Sequence, residues 1–414
     1  MTAFTLALLT LLPQDDPAEL KKRVDEAIDK GVAWLKKQAK PEGHFGESSG
    51  PTYAPGQAYH NKPGITAFAL LALLKSDVGP DDPVIVKGFA FLQGYCQQKG
   101  QLISNYDRGV ILMALEALHE GALAAAARKK GKKVSERVGD FKEPKYTPSP
   151  ANLQFIHEVV KALREEQTKA GGWRYGKGFG LVGSEEDVSA TQIVLLGLKS
   201  ATRMRASVDP LSFRRALDYV LERQEKDGPK VARPKDYRAG DRGTYVSSGD
   251  DRARGWAYIL KGSKPEEEKV SGAMTCAATA SLLICKSEIG KSLGRKGGEA
   301  VDQAIYDGFA WLSTQWAVDQ NPGLGKGRHY YHLYGLERVG TLGLFEKIGD
   351  HYWYKEGAQV LLKDQRPDGA WNNQDEIAPT DLLDTCYALL FLRRGTAPVG
   401  DVITPRTEPR PSSP

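Results

Sequence analysis

The sequence is poor in sulfur, with four cysteines and four methionines in 414 residues. So few cysteines in so long a chain do not make a disulfide framework. Cys276 and Cys285 fall on one predicted helix, where ~1.5 Å of rise per residue separates them by roughly 13 Å, too far to pair. An excess of one charge is also missing. The formal net charge of +5 is too weak to argue nucleic-acid binding without a clustered patch or a motif. Beyond the N-terminus no stretch approaches ~18 uninterrupted apolar residues, which argues against a membrane-spanning helix. The glycine-rich dinucleotide fingerprint, the P-loop, the GxSxG elbow and a thioester motif are all absent, and with them the readings those motifs carry.

What is present is a hydrophobic content of 41%, enough to bury a large core, and an internal repeat. Residues 1–14 hold a short apolar run, Phe4 to Leu12, of the length of a signal-peptide core. No Lys or Arg precedes it and no clear small-x-small cleavage site precedes Asp15, so a buried or frayed segment is the alternative to export. Residues 15–395 form one predicted repeat domain. Residues 396–414 contain Pro398, Pro405, Pro409, Pro411 and Pro414 and are expected to be disordered.

Each repeat pairs an amphipathic helix with one that is apolar on nearly every side. The pairs are Leu20–Gln38 with Ile65–Leu74, Val84–Gln97 with Val110–Leu118, and Phe155–Gln167 with Thr191–Leu198. Then come Leu211–Gln224 with Met274–Cys285, Val301–Trp316 with Tyr330–Glu337, and the helix opening at Trp353 with Leu382–Leu392. The turn after the first helix also repeats: Gln167, Gly171 and Trp173 have the spacing of Gln365, Gly369 and Trp371. Gln38, Gly43 and Phe45 stretch it by one residue, and Gln224 with Gly228 keeps its first half. Glycine permits the left-handed helix cap, and the aromatic two residues on packs over the turn.

Six such pairs predict an all-α (α/α)6 toroid, because inner helices apolar all round suit a closed double ring better than a solenoid with a polar concave face. In a ring the inner helices run in one direction, so their N-termini and the polar residues before them collect at one mouth. Converging helix dipoles make such a mouth hospitable to anions. Two insertions interrupt the period. Residues 229–270 are placed at the mouth, where they could cover it, with a small hairpin from GlyThrTyrVal and TrpAlaTyrIleLeu. Residues 119–150, with Arg128, Lys129, Lys130, Lys132 and Lys133, are placed at the opposite end as a solvated excursion or a peripheral contact for anionic lipid or a partner.

Gln-x3-Gly-x-Trp followed by an inner helix opening Asp-x-x-x-Thr resembles the repeat of the terpenoid cyclase and protein prenyltransferase superfamily over roughly Leu20 to Gly395. AspValSerAlaThrGln (187–192) and TyrGlyLeuGluArgValGly (334–340) are similar to inner helices of its bacterial prenyltransferase/squalene oxidase repeat proteins. The resemblance implies the double ring and a central cavity for an isoprenoid or other apolar ligand. Cyclases of this superfamily protonate an alkene with the central acid of Asp-x-Asp-Asp-Thr. Ser189 and Leu383 stand at that position here, so the standard cyclase acid is missing. Prenyltransferase β subunits hold zinc with Asp-x-Cys-Tyr, matched by Asp384 to Tyr387, which makes Asp384, Cys386 and His332 the candidate zinc ligands.

Asp187, Asp381, Asp384 and His329 are the candidate catalytic residues, a carboxylate group at the mouth suited to acid/base work with an imidazole beside it. Acidic residues are equally at home as helix N-caps. Tyr53, Tyr106, Trp173 and Tyr331 are the candidate ligand contacts at the entrance, although tryptophans in Gly-x-Trp turns also serve as staples between repeats. Two further readings stand beside an apolar-ligand protein: a polysaccharide lyase or glycosidase on the same ring, and a non-catalytic scaffold. An apolar aromatic centre favours the first reading, an open acidic cleft the second and a filled centre the third.

Overall fold

The computed structural model describes residues 16–46, 62–99, 103–129, 145–176, 186–233, 243–260, 265–373 and 380–396. The N-terminal apolar run, Tyr53, Lys130, Lys132, Lys133 and the proline-rich tail lie outside these residues.

Among the described residues the chain forms α1 (Pro17–Lys37), α2 (Lys62–Lys75), α3 (Pro83–Lys99), α4 (Asn105–Lys129), α5 (Pro150–Glu166) and α6 (Val188–Arg203). It continues with α7 (Pro210–Glu222), α8 (Gly272–Ile289), α9 (Gly294–Thr314), α10 (His329–Gly343), α11 (Trp353–Asp364) and α12 (Thr380–Leu392). Two short strands, β1 (Thr244–Tyr245) and β2 (Lys347–Ile348), and two 3-10 turns, Pro265–Glu268 and Gly290–Ser292, complete the regular structure. Each even-numbered helix packs on the even-numbered helices before and after it, and α12 packs on α2. The six inner helices therefore close a ring, with the odd-numbered helices around it: an (α/α)6 toroid.

The local sequence explains both kinds of helix. α1, α5 and α7 begin with a capping Asp16, Ser149 or Asp209 followed by proline at the first helical position, and each cap side chain accepts from a backbone N–H of the first turn. Pro83 follows Asp82 in the same way, and Asp82 accepts from Val84 N at 3.0 Å. Proline costs nothing at that position because its missing N–H would have had no helical partner. α1 then buries Leu20, Val24, Ala27, Ile28, Gly31 and Leu35, a single stripe. α6 and α8 are buried along almost their whole length on every side. At about 1.5–3 kcal/mol for each fully buried large apolar side chain, this inner ring is the main stabilising mass.

The sequence-predicted inner helix ending at Leu118 continues to Lys129, so the first part of the 119–150 insertion is helical. By length and composition α4 could cross a membrane. In the ring, however, Val110, Ile111, Leu112, Ala114 and Leu115 are buried where it packs between α2 and α6.

The repeated turn is a hydrogen-bonded brace. Trp173 N donates to Thr191 Oγ1 at 3.0 Å and its indole Nε1 to Leu163 O at 2.7 Å. Trp371 does the same with Thr385 (3.1 Å) and Leu361 O (2.8 Å). Phe45 N donates to Thr66 Oγ1 at 2.9 Å. Gln365 Nε2 donates to Gly369 O at 3.0 Å within the turn and to Ala27 O of α1 at 2.8 Å, joining the last repeat to the first. Gln167 bridges likewise to Gly171 O (2.6 Å) and Ser212 O of α7 (2.9 Å). Gly171 has φ +103°, and a Cβ there would lie 2.2 Å from Arg215 O; Gly369 has φ +98° and would meet Lys30 O at 2.5 Å. Only glycine fits both the conformation and the close approach.

The 229–270 insertion departs from expectation. Its GlyThrTyrVal and TrpAlaTyrIleLeu segments form no hairpin with each other. Trp256 is the fourth-repeat staple, with N donating to Thr275 Oγ1 (3.2 Å) and Nε1 to Val220 O (2.8 Å). The intervening chain is laid on the outer helix α9. Asp307 accepts from Arg252 N (2.8 Å), from Gln303 (2.8 Å) and from Arg254 Nη2 (2.6 Å). Tyr245 stacks on Phe309 with centroids 5.4 Å apart, and β1 pairs in parallel with β2 beyond the C-terminal end of α10. Most of the described insertion thus clads the outside of the ring, and its end reaches the mouth, where Tyr258 O accepts from Val188 N at 3.1 Å.

Candidate functional site at the ring centre

Parallel inner helices bring Asp187, His329, Asp381 and Asp384 to the mouth as predicted, but each has a structural task. Asp187 caps α6, accepting from Ala190 N at 2.6 Å, and pairs with Arg174 Nη1 at 3.0 Å. Burial pushes its carboxyl up to about 6, against the opposing pull of Arg174 and the cap hydrogen bond. Tyr258 hydrogen-bonds to it as well, and the Tyr258 and Tyr175 hydroxyls lie 3.4 Å apart. Asp381 is half-buried, held by Arg366 at 2.9 Å and by Asn372. Asp384 accepts from Asn373 N at 2.9 Å.

The two histidines brace the α9–α10 loop, where no tryptophan staple is present. His329 Nε2 lies 2.8 Å from Val318 O and His332 Nε2 lies 3.1 Å from Ala317 O. Burial lowers both, His332 to about 4. Asp384, Cys386 and His332 do not fit a zinc site. Nε2 of His332 is held by the loop, burial drives the Cys386 thiol upward, and among the described residues no three His, Cys, Asp or Glu side chains form a group that could hold a metal ion. Trp173, expected at the entrance, is fully buried as a staple.

Tyr106 and Tyr331 do reach the centre, together with residues the sequence did not single out. Tyr331 Oη lies 2.9 Å from Ser189 Oγ and donates to Gln192 Oε1 at 3.4 Å. Because α8 separates α6 from α10 around the ring, these bonds cross the centre. Tyr106 hydrogen-bonds to Tyr387, which also crosses it, since α2 stands between α4 and α12. Phe68 and Tyr334 complete the cluster, each packed against Tyr387 with ring centroids 5.4 Å and 5.6 Å apart. Tyr331 and Tyr387 keep 7% of their surface exposed, and Tyr106, Ser189 and Leu383 keep more, so the cluster faces the mouth.

Beneath it lies Arg338, with no exposed surface. Its guanidinium sits 4.1 Å from the Tyr334 centroid and 5.3 Å from that of Tyr331, and none of its nitrogens has a hydrogen-bond partner. The neighbouring Glu337 is turned to Thr341 and Thr396, accepting from Thr396 Oγ1 at 2.6 Å. A desolvated cation–π contact offers about 2 kcal/mol, whereas taking a charge out of water costs several. The tyrosines alone do not balance this charge. Sequence reading takes the segment 334–340 as inner helix but gives Arg338 within it no role. Its position four and seven residues after Tyr334 and Tyr331, on one helix face, was the available signal.

No family model matches the sequence, and no curated protein matches it at the level of sequence. Solved structures do match in shape. One is an apo tyrosine-to-phenylalanine variant of a type II terpene cyclase from Scytonema. It has 12% identity and a TM-score of 0.50, over 92% of this chain and 99% of that one. Another is an inactive double-aspartate variant of an α-1,6-mannanase from a Salegentibacter species, in complex with α-1,6-mannotetrose. It has 10% identity and a TM-score of 0.52, over 90% of this chain and 98% of that one. At such identities the likeness is one of fold: the chain shares the (α/α)6 toroid with enzymes of different chemistries.

Proposed function

We propose that the chain takes an apolar, isoprenoid-like ligand into the ring centre through the mouth formed by the inner-helix N-termini. The observation that carries this reading is the convergence of Phe68, Tyr106, Tyr331, Tyr334 and Tyr387 from four inner helices across the ring axis. Aromatic faces bind extended apolar chains without demanding hydrogen bonds of them. The type II terpene cyclase among the solved structures accords with such a ligand but adds only the shared fold. Glycoside cleavage needs two carboxylates poised on either side of the scissile bond, and Asp187, Asp381 and Asp384 are instead engaged by Arg174, Arg366 and Asn373.

The test is thermal melting of the full chain with geranylgeraniol or with an α-1,6-linked mannose oligosaccharide. The prenyl alcohol is expected to raise the midpoint, and a Tyr106→Ala, Tyr387→Ala double variant to lose that rise. Stabilisation by the oligosaccharide alone would overturn the reading. With residues 4–12 as an export signal the ring works outside the cytoplasm, which mass determination of the mature N-terminus checks.

A further inference from the structure

Two buried donors at the ring centre have no acceptor. One is the whole guanidinium of Arg338 on α10, and the other is Gln192 Nε2 on α6. They converge on the same ring: Gln192 Oε1 accepts from the Tyr331 hydroxyl, and Arg338 lies 5.3 Å from the Tyr331 centroid. Side chains on a helix tilt toward its N-terminus. Arg338 accordingly lies back over Tyr334, one turn earlier, and points up α10 toward the mouth. The described groups around it are the phenols of Tyr106, Tyr331 and Tyr334, the Cys276 thiol and the Glu337 carboxylate, which attracts it through space while its hydrogen bonds go to Thr341 and Thr396. The guanidinium stays protonated at any working pH, so the centre holds a cation none of whose nitrogens makes a hydrogen bond.

We infer that the ring centre receives a ligand bearing a carboxylate or phosphate group, with Arg338 as its counter-charge and Gln192 Nε2 as a second donor. The anionic end is the leading end of the ligand, passing the exposed edges of Tyr106, Tyr331 and Tyr387, and the apolar remainder lies among the aromatic rings. Convergent inner-helix N-termini favour the same charge on the way in. The assignment rests on the proposed apolar-ligand reading for the tail of the ligand, but not for its head.

The experiment uses the full-length protein with decyl phosphate, decanoate, decanol and inorganic phosphate, followed by calorimetric titration and thermal melting. Wild type is expected to bind decyl phosphate or decanoate at least about tenfold more tightly than decanol, as a charge-assisted bond requires. Arg338→Met should erase that preference, and Arg338→Lys should keep part of it. Without ligand, Arg338→Met is expected to melt no lower than wild type, because it removes a buried guanidinium that makes no hydrogen bond. Equal binding of decanol and the anions, or an anion preference that survives in Arg338→Met, overturns the assignment and spares the apolar-ligand reading. Stabilisation by inorganic phosphate that depends on Arg338, with no decyl compound bound, supports the anion site and sinks the apolar tail. No response to any of the four probes overturns both.

Discussion

Replacing Gln365 by leucine tests whether the repeated glutamine holds the ring closed. Its single amide group bonds Ala27 O of α1 at 2.8 Å and Gly369 O at 3.0 Å, so the first and last repeats are joined through one side chain. Leucine has similar bulk and removes both bonds. A net ~1 kcal/mol for each bond, plus the penalty of leaving two carbonyls without that donor, gives a loss of about 2–3 kcal/mol. That is a large share of the ~5–15 kcal/mol by which domains are stable. Equilibrium denaturation of the full chain, followed by circular dichroism and by tryptophan fluorescence, measures it. Gln167→Leu is the internal control, because it breaks the same two kinds of bond between α5 and α7. The two losses should agree within about 0.5 kcal/mol if each brace acts locally, as separated sites do. A loss below ~0.5 kcal/mol at Gln365, or a far larger one there than at Gln167, would refute the reasoning.

Gly171→Ala should destabilise by more than about 1 kcal/mol, since alanine resists the left-handed backbone and its Cβ meets Arg215 O; a midpoint equal to wild type would contradict this. Thr191→Val should cost about 1–3 kcal/mol by stranding the buried Trp173 N–H, measured by urea titration, whereas Thr191→Ser should restore most of it. Burial raises Asp107 to about 7 and leaves its Oδ2 without a partner. Its stabilising contribution is therefore complete below the ordinary carboxyl range and is lost as pH rises through 7. Asp107→Asn should accordingly gain on wild type between pH 5 and pH 8, and a parallel pair of melting curves at the two pH values would disprove it. His332, lowered to about 4, has the opposite sign: its contribution is complete above the ordinary imidazole value and is lost as pH falls through 4. His332→Gln should flatten the acid side of the stability profile, and an unchanged acid midpoint would count against that.

The ring was legible in the sequence because helix-period burial and the Gln-Gly-Trp turn are local patterns. The mouth was legible because parallel inner helices must share one end. The chemistry was not, and the motif that pointed to it explains why. In Asp-x-x-x-Thr the aspartate caps the inner helix and the threonine accepts from the tryptophan N–H, as Asp187 and Thr191 do. Residues that make the fold thus resemble residues that make a site. Trp256 was hidden because the insertion separates it from Gln224, though Trp256 and Thr275 keep nearly the spacing of Trp173 and Thr191. Cross-ring contacts such as Tyr331 with Ser189 join positions 142 residues apart, and no local periodicity reports them.

The direction of the chain around the ring has a practical side. α1 begins, and α12 ends, at the face where the inner helices finish. There Arg393 Nε donates to Lys75 O at 3.0 Å, and Tyr354 Oη to Leu392 O at 2.8 Å. A linker, a surface coupling or a fused domain joined at either end of the described ring therefore departs from the side remote from the Tyr106, Tyr331 and Tyr387 edges. Immobilised through either end, the toroid presents its entrance outward, which suits it to ligand capture from flowing solution.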